Sequence, residues 1–171
     1  KLSPEERVTL ERIYPLIATN PAQAISELEL AAKPDSTAMF DFVLGNLYFQ
    51  RDDAANAGKW YGLAVQKFPS YRRAHKNLGL IQIRDGKYDL AIHSFTKMIE
   101  LGGGDALSYG LLGHAYAAKQ DYLAAEAAYR NALLLQPDNP DWRLGLARTI
   151  FKQQKYEEAA ALLNVLLERN P

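Results

Sequence analysis

Small and apolar residues return along the chain at one fixed step. Gly45, Gly79 and Gly113 are each 34 residues apart, and the next step lands on Ala147. Leu44, Leu78, Leu112 and Leu146 precede that small residue, while Ala57, Ala91, Ala125 and Ala159 follow it at a constant offset. Aromatic residues fill a further column at Tyr61, Phe95 and Tyr129, where Leu163 is the departure, and Tyr88, Tyr122 and Tyr156 make another. The breaks keep phase as well: Pro69, Pro137 and Pro171 share a column, and Gly103 stands where the remaining proline would be. Proline lacks an amide donor and glycine favours non-helical backbone, so both interrupt helices. A second, polar break near the middle of each period, such as Arg84-Asp85-Gly86-Lys87 or Lys119-Gln120-Asp121, has the usual helix-to-helix length. Each period therefore predicts two helices of about a dozen residues joined by a short turn.

The columns have a packing logic. A glycine or alanine on the first helix lets the second approach closely, the small alanine on the second helix does the same in return, and Tyr48, Tyr61, Tyr116 and Tyr129 fill the space beside that contact. One hairpin cannot bury both of its faces, so successive hairpins must stack, and the sum is a superhelix. The first 37 residues form a helical preface. Ser3-Pro4-Glu5-Glu6 is a helix start with a capping box, Pro15 should kink or end that helix after Tyr14, and a second helix should run from Pro21 through Ala32 until Lys33-Pro34-Asp35 stops it.

Composition narrows the chemistry. Twenty basic residues balance twenty acidic ones, so no global field draws the protein to nucleic acid or an anionic membrane. With no cysteine, disulfides, thiolate metal sites and a cysteine nucleophile are excluded. No apolar run is long enough to span a bilayer, the opening lacks the pattern of a secretory signal, and the compartment stays open between cytoplasm and bacterial periplasm. A start at Lys1 and a stop at Pro171 directly after a helical pattern suggest a piece of a longer protein. His75, His93 and His114 lack the spacing of a metal site. Gly102-Gly103-Gly104 lacks the lysine and hydroxyl residue of a phosphate loop, and reads as a joint after which Asp105 caps the next helix. No nucleophile stands at a recognisable spacing from a base, so the expectation is a non-enzyme without a cofactor.

Leu44-Gly45, Tyr48, Ala57, Tyr61, Ala64 and Pro69, and again Tyr109, Leu112-Gly113, Tyr116, Ala125, Tyr129, Ala132 and Pro137, resemble the signature of the tetratricopeptide repeat. The resemblance covers residues 38–171 and implies an all-α fold: a right-handed superhelix, or α-solenoid, of antiparallel helix pairs. Its expected divisions are a degenerate capping hairpin at 1–37 and four units at 38–71, 72–105, 106–139 and 140–171, forming one continuous domain. Gln82 in place of a tyrosine, and Arg143 in place of a large apolar residue, weaken the second and fourth units.

The resemblance also places the first helix of each unit along a concave groove, whose facing positions follow from helical spacing. These are Phe42, Asn46 and Phe49 in the first unit and Arg73, Lys76, Asn77, Leu80, Ile83 and Arg84 in the second. The third contributes Gly110 and His114, where Gly110 and Ala117 should leave a shallow wall and a pocket, and the fourth contributes Leu144, Arg148, Phe151 and Lys152. Trp142, near the last groove helix, is a further candidate for partner contact. Arg73, Lys76, Arg84, Arg148 and Lys152 face only Asp141 among acids, so the implied partner is a protein or peptide carrying acidic and apolar residues. The carboxylate clamp of tetratricopeptide cochaperones is not reproduced, because Phe42, Leu107 and Leu111 replace its bases. The alternative is a structural module that self-associates, as a homodimer for example, through Leu162, Leu163, Val165, Leu166 and Leu167 of the last helix.

Overall fold

The computed structural model describes residues 2–169, with side chains as far as Leu167, so the break expected at Pro171 lies outside the described residues. The architecture is all-α. Among the described residues ten α-helices follow in order: α1 (Pro4–Thr19), α2 (Pro21–Ala31), α3 (Ala38–Gln50), α4 (Ala54–Lys67), α5 (Arg72–Arg84), α6 (Tyr88–Met98), α7 (Ala106–Ala118), α8 (Tyr122–Leu135), α9 (Pro140–Lys152) and α10 (Tyr156–Arg169). They form sequential antiparallel pairs. Among the described residues no helix is long and apolar enough to cross a membrane. The chain divides into two compact units, Lys1–Ile81 and Gln82–Pro171.

In the first unit, Ser3 caps α1 through the expected box: Glu6 N donates to Ser3 Oγ at 3.1 Å, and Ser3 N donates to Glu6 Oε2 at 2.7 Å. The other oxygen of Glu6 accepts from Thr37 N at 2.6 Å, tying α1 to the start of α3. The backbone N–H groups of Ser3 and Thr37 hold the Glu6 carboxyl below its ordinary range. Of the two outcomes expected at Pro15, a kink or an end, the end does not occur: α1 continues through Pro15 to Thr19. The proline removes one helical hydrogen bond, but Leu16 and Ile17 beyond it pack with Ile13 against Ala24, Ile25 and Leu28, and that burial keeps the helix intact. Lys67, on α4, pairs with the fully buried Asp41 at 2.6 Å and also donates to Lys33 O and Ser36 Oγ, bracing the α2–α3 connection.

In this unit α3 and α4 approach closely at a glycine. A Cβ at Gly45 would lie 2.5 Å from the Tyr61 ring, and that ring cannot step aside because Tyr61 is 1% exposed and donates from its hydroxyl to Asn46 Oδ1 at 2.8 Å. In the second unit the same relation recurs at Gly113, where a Cβ would stand 2.9 Å from the Tyr129 ring. The alanine column Ala57, Ala91, Ala125 and Ala159 is buried throughout.

Every first helix of a pair, from α3 onward, ends in the same way. Asp52, Gly86, Gln120 and Gln154, one per repeat, hold left-handed φ angles of 60°, 69°, 62° and 65°. The next residue's N–H returns to the carbonyl five residues back, as in Asp53 to Tyr48, Lys87 to Gln82, Asp121 to Tyr116 and Lys155 to Ile150. This is the Schellman closure, and only Gly86 adopts it without steric cost. The triple glycine behaves as expected: Gly102 takes φ 76° at the end of a π-turn, Ile99–Gly103, and Asp105 Oδ1 accepts from Ser108 N at 2.8 Å to start α7.

A polar network ties α8 to the α9–α10 turn. Glu126 accepts from Gln153 at 2.7 Å, from Arg130 Nε at 2.9 Å and from Lys155 at 3.1 Å. Burial alone would raise its pKa, but the hydrogen bonds from Gln153, Arg130 and Lys155 outweigh it and hold the carboxyl at about 2.

Two stability outcomes follow from these contacts. Gly45→Ala should lower the free energy of unfolding in urea by about 1–3 kcal/mol through overpacking against Tyr61. Gly62→Ala, where a Cβ meets nothing within 4 Å, should instead raise it by roughly 0.5–1 kcal/mol. For Glu126, the depressed folded pKa means its contribution is present above the ordinary value of 4.5 and is lost as pH falls toward about 2. Glu126→Gln should therefore cost on the order of 1–2 kcal/mol at pH 7, with the difference from wild type shrinking as pH falls from about 4.5 to about 2 in parallel denaturation series.

Candidate functional site

The first helices of the pairs carry the residues expected to meet a partner. In the first unit Phe42 is half-buried, its ring 4.8 Å from Tyr71 and 5.9 Å from Tyr61. Asn46 uses its carbonyl oxygen inside the protein, accepting from Tyr61 and from Asn77 Nδ2 at 3.1 Å. The two asparagines read as groove residues thus hold each other and the core tyrosine, whose hydroxyl is pushed up to about 12 by burial. Phe49 and Arg73 are exposed, while Lys76 and Leu80 are half-buried.

In the second unit Ile83 and Leu144 are half-buried, and Arg84, His114, Arg148, Phe151 and Lys152 are exposed. His114 meets Tyr88 edge-on at 5.8 Å, and Phe151 meets Tyr156 at 5.2 Å. Gly110 departs from expectation. It is buried, and the Trp142 ring lies over it so closely that a Cβ would stand 2.5 Å from three ring atoms. The glycine makes room for a tryptophan of the next pair and leaves no shallow wall for a ligand. Trp142 is correspondingly half-buried and stands beside Tyr129, with ring centroids 6.5 Å apart.

A pocket does open beside His114, of about 220 Å³, lined also by Ala117, Tyr122, Tyr129, Gly145, Arg148, Thr149 and Lys152. Sequence reading missed Gly145 and the Tyr129 hydroxyl edge as parts of it. The signal was there: Gly145 is a glycine inside α9 that belongs to no small-residue column, and a Cβ on it would stand 2.5 Å from Tyr129. A second depression, of about 590 Å³ in the first unit, was also missed; Met39, Phe68 and Tyr71 line it with Glu6, Asp35 and Thr37. The Leu163, Val165 and Leu167 side chains stand exposed on α10, with Leu162 and Leu166 half-buried. Among the described residues no cluster of three histidine or acidic side chains could hold a metal ion.

A family model described as "Tetratricopeptide repeat" matches residues 116–171. The chain is 29% identical over 125 residues to the chloroplastic tetratricopeptide repeat domain-containing protein PYG7 of Arabidopsis thaliana, aligning 66% of its own length to 42% of that protein. It is 31% identical over 96 residues to a tetratricopeptide repeat protein 30 homolog of Aedes aegypti, spanning 15% of it. The chain thus spans less than half the length of these relatives. Among solved structures, MamA from Desulfovibrio magneticus RS-1 superposes with a TM-score of 0.80 at 17% identity, covering 98% of this chain and 96% of that one. YrrB, described as a TPR protein with an unusual peptide-binding site, superposes with a TM-score of 0.76 at 18% identity, over 86% of this chain and 75% of its own. Repeat period, paired helices and these likenesses agree: the chain contains tetratricopeptide repeats, with the family signature matched over residues 116–171.

Proposed function

We propose that the chain is a protein-interaction scaffold that receives a peptide segment of a partner on the outward faces of its repeat-opening helices, α3 and α5 in the first unit and α7 and α9 in the second. One observation carries this reading. Phe49 and Phe151 occupy the same repeat column and are 46% and 55% exposed, on helices whose other faces are buried. Large apolar side chains left in water at a repeated position are characteristic of a contact surface rather than of packing. Arg73, Arg148 and Lys152 are exposed on these helices, so a segment with acidic and apolar residues suits them. The peptide-binding site stated for YrrB supports the reading by fold analogy alone.

An array of 12-residue peptides probed with the purified chain should be enriched in hits carrying both acidic and apolar residues. Fluorescence anisotropy on the tightest hit to the second unit should show the double variant Arg148→Glu, Lys152→Glu weakening binding by at least about tenfold with an unchanged melting temperature. Equal binding by the variant would overturn the charge-guided reading.

The exposed Leu163, Val165 and Leu167 of α10 favour a second reading, a module that self-associates through that edge. Light scattering across a dilution series should then show dimers that Leu163→Asp, Leu167→Asp converts to monomer. A wild-type monomer at every concentration would remove this alternative.

A further inference from the structure

The pocket on the second unit is built around one tyrosine. The Tyr129 ring is held between two glycines, since a Cβ at Gly113 would lie 2.9 Å from it and one at Gly145 2.5 Å. The side chain is 95% buried by this arrangement, at 5% exposure, yet its hydroxyl has no protein partner among the described residues. Burial pushes the phenol up to about 12, against the pull of the Arg148 charge, so at neutral pH it keeps its proton and can donate.

Around that donor the charge is of one sign. Arg148 and Lys152 lie one turn apart on α9, and His114 stands on α7 across the pocket. No acidic side chain lines the space, and neither cation has an acidic partner among the described residues. Two like charges at i and i+4 repel, so the sequence tolerates a local cost with nothing inside the protein to offset it. Part of the lining is apolar, a floor supplied by Ala117, Gly145 and the Tyr129 ring, with Tyr122 and Thr149 also on the wall. A volume of about 220 Å³ falls below the range of cofactor and drug-sized sites and suits one short side chain.

We propose that this pocket is a subsite for a single glutamate or aspartate side chain of the partner segment, its carboxylate held by Arg148, Lys152 and the Tyr129 hydroxyl and its methylene stem lying on Ala117. The inference rests on the peptide-scaffold reading and deepens it, assigning the acid to one place. The apolar floor favours a carboxylate on a hydrocarbon stem over a bare inorganic oxyanion, which would leave that floor uncovered.

The test is a ¹⁵N–¹H NMR titration of the whole chain with the capped peptide Ala-Phe-Glu-Ala-Gly, its Gln counterpart, and inorganic phosphate. The Glu peptide should shift the amides of Ala117, Gly145 and Thr149 saturably, and the Gln peptide should bind there at least about tenfold more weakly. Arg148→Gln, Lys152→Gln should abolish that preference without lowering the melting temperature, because it removes a repulsion. Equal affinity of the two peptides at these amides would overturn the carboxylate subsite and leave the scaffold reading standing. Saturation by phosphate but not by the Glu peptide would also overturn it, in favour of a free oxyanion. Absence of shifts on both units with both peptides would defeat the scaffold reading as well.

Discussion

An aromatic ring laid flat on a glycine is the contact on which the rest of this structure depends. Gly45 beneath Tyr61 and Gly113 beneath Tyr129 bring paired helices closer than any side chain at those positions would allow. The buried alanines on the opposing helices complete the contact from the other side. Because the ring is both wedge and filler, a methyl group added at the glycine has nowhere to go: the interior is packed densely enough that the ring cannot yield.

That constraint also decides what the outward faces can do. Once glycine, alanine and a central aromatic satisfy the contact within a pair, the remaining positions of each opening helix are released from packing duty. Phe49, Arg148, Phe151 and Lys152 occupy such positions. The core aromatics are not isolated from that surface, however. Tyr61 bonds to Asn46, and Tyr129 reaches from Gly113 on α7 to Gly145 on α9. Residues that set the interhelix distance therefore also shape the ground on which a ligand would sit.

The turns follow the same economy. The Schellman closure is kept in four repeats although glycine is present in only one, so Asp52, Gln120 and Gln154 accept left-handed backbone at a cost of about 1 kcal/mol each. The closure satisfies carbonyls that would otherwise be orphaned at the helix end, and Asp53 and Asp121 then cap the following helix through their carboxylates.

Much of this was legible in the residues alone, because the 34-residue step of glycine, alanine, aromatic and proline is itself the record of a repeated contact. Helix pairing, the Ser3 capping box, the Asp105 cap and the buried alanine column follow from local spacing. Tertiary packing decided the rest. Pro15 reads locally as a kink or a stop, yet Leu16 and Ile17 beyond it gain enough burial to carry α1 onward. Gly110 reads as an opening, yet a tryptophan 32 residues later fills it. Asn46 and Asn77 read as ligand contacts, yet they are engaged with each other. Periodicity names which residues share a face, since that depends only on helical geometry. What stands opposite that face is fixed by side chains arriving from distant helices, and no local pattern encodes their arrival.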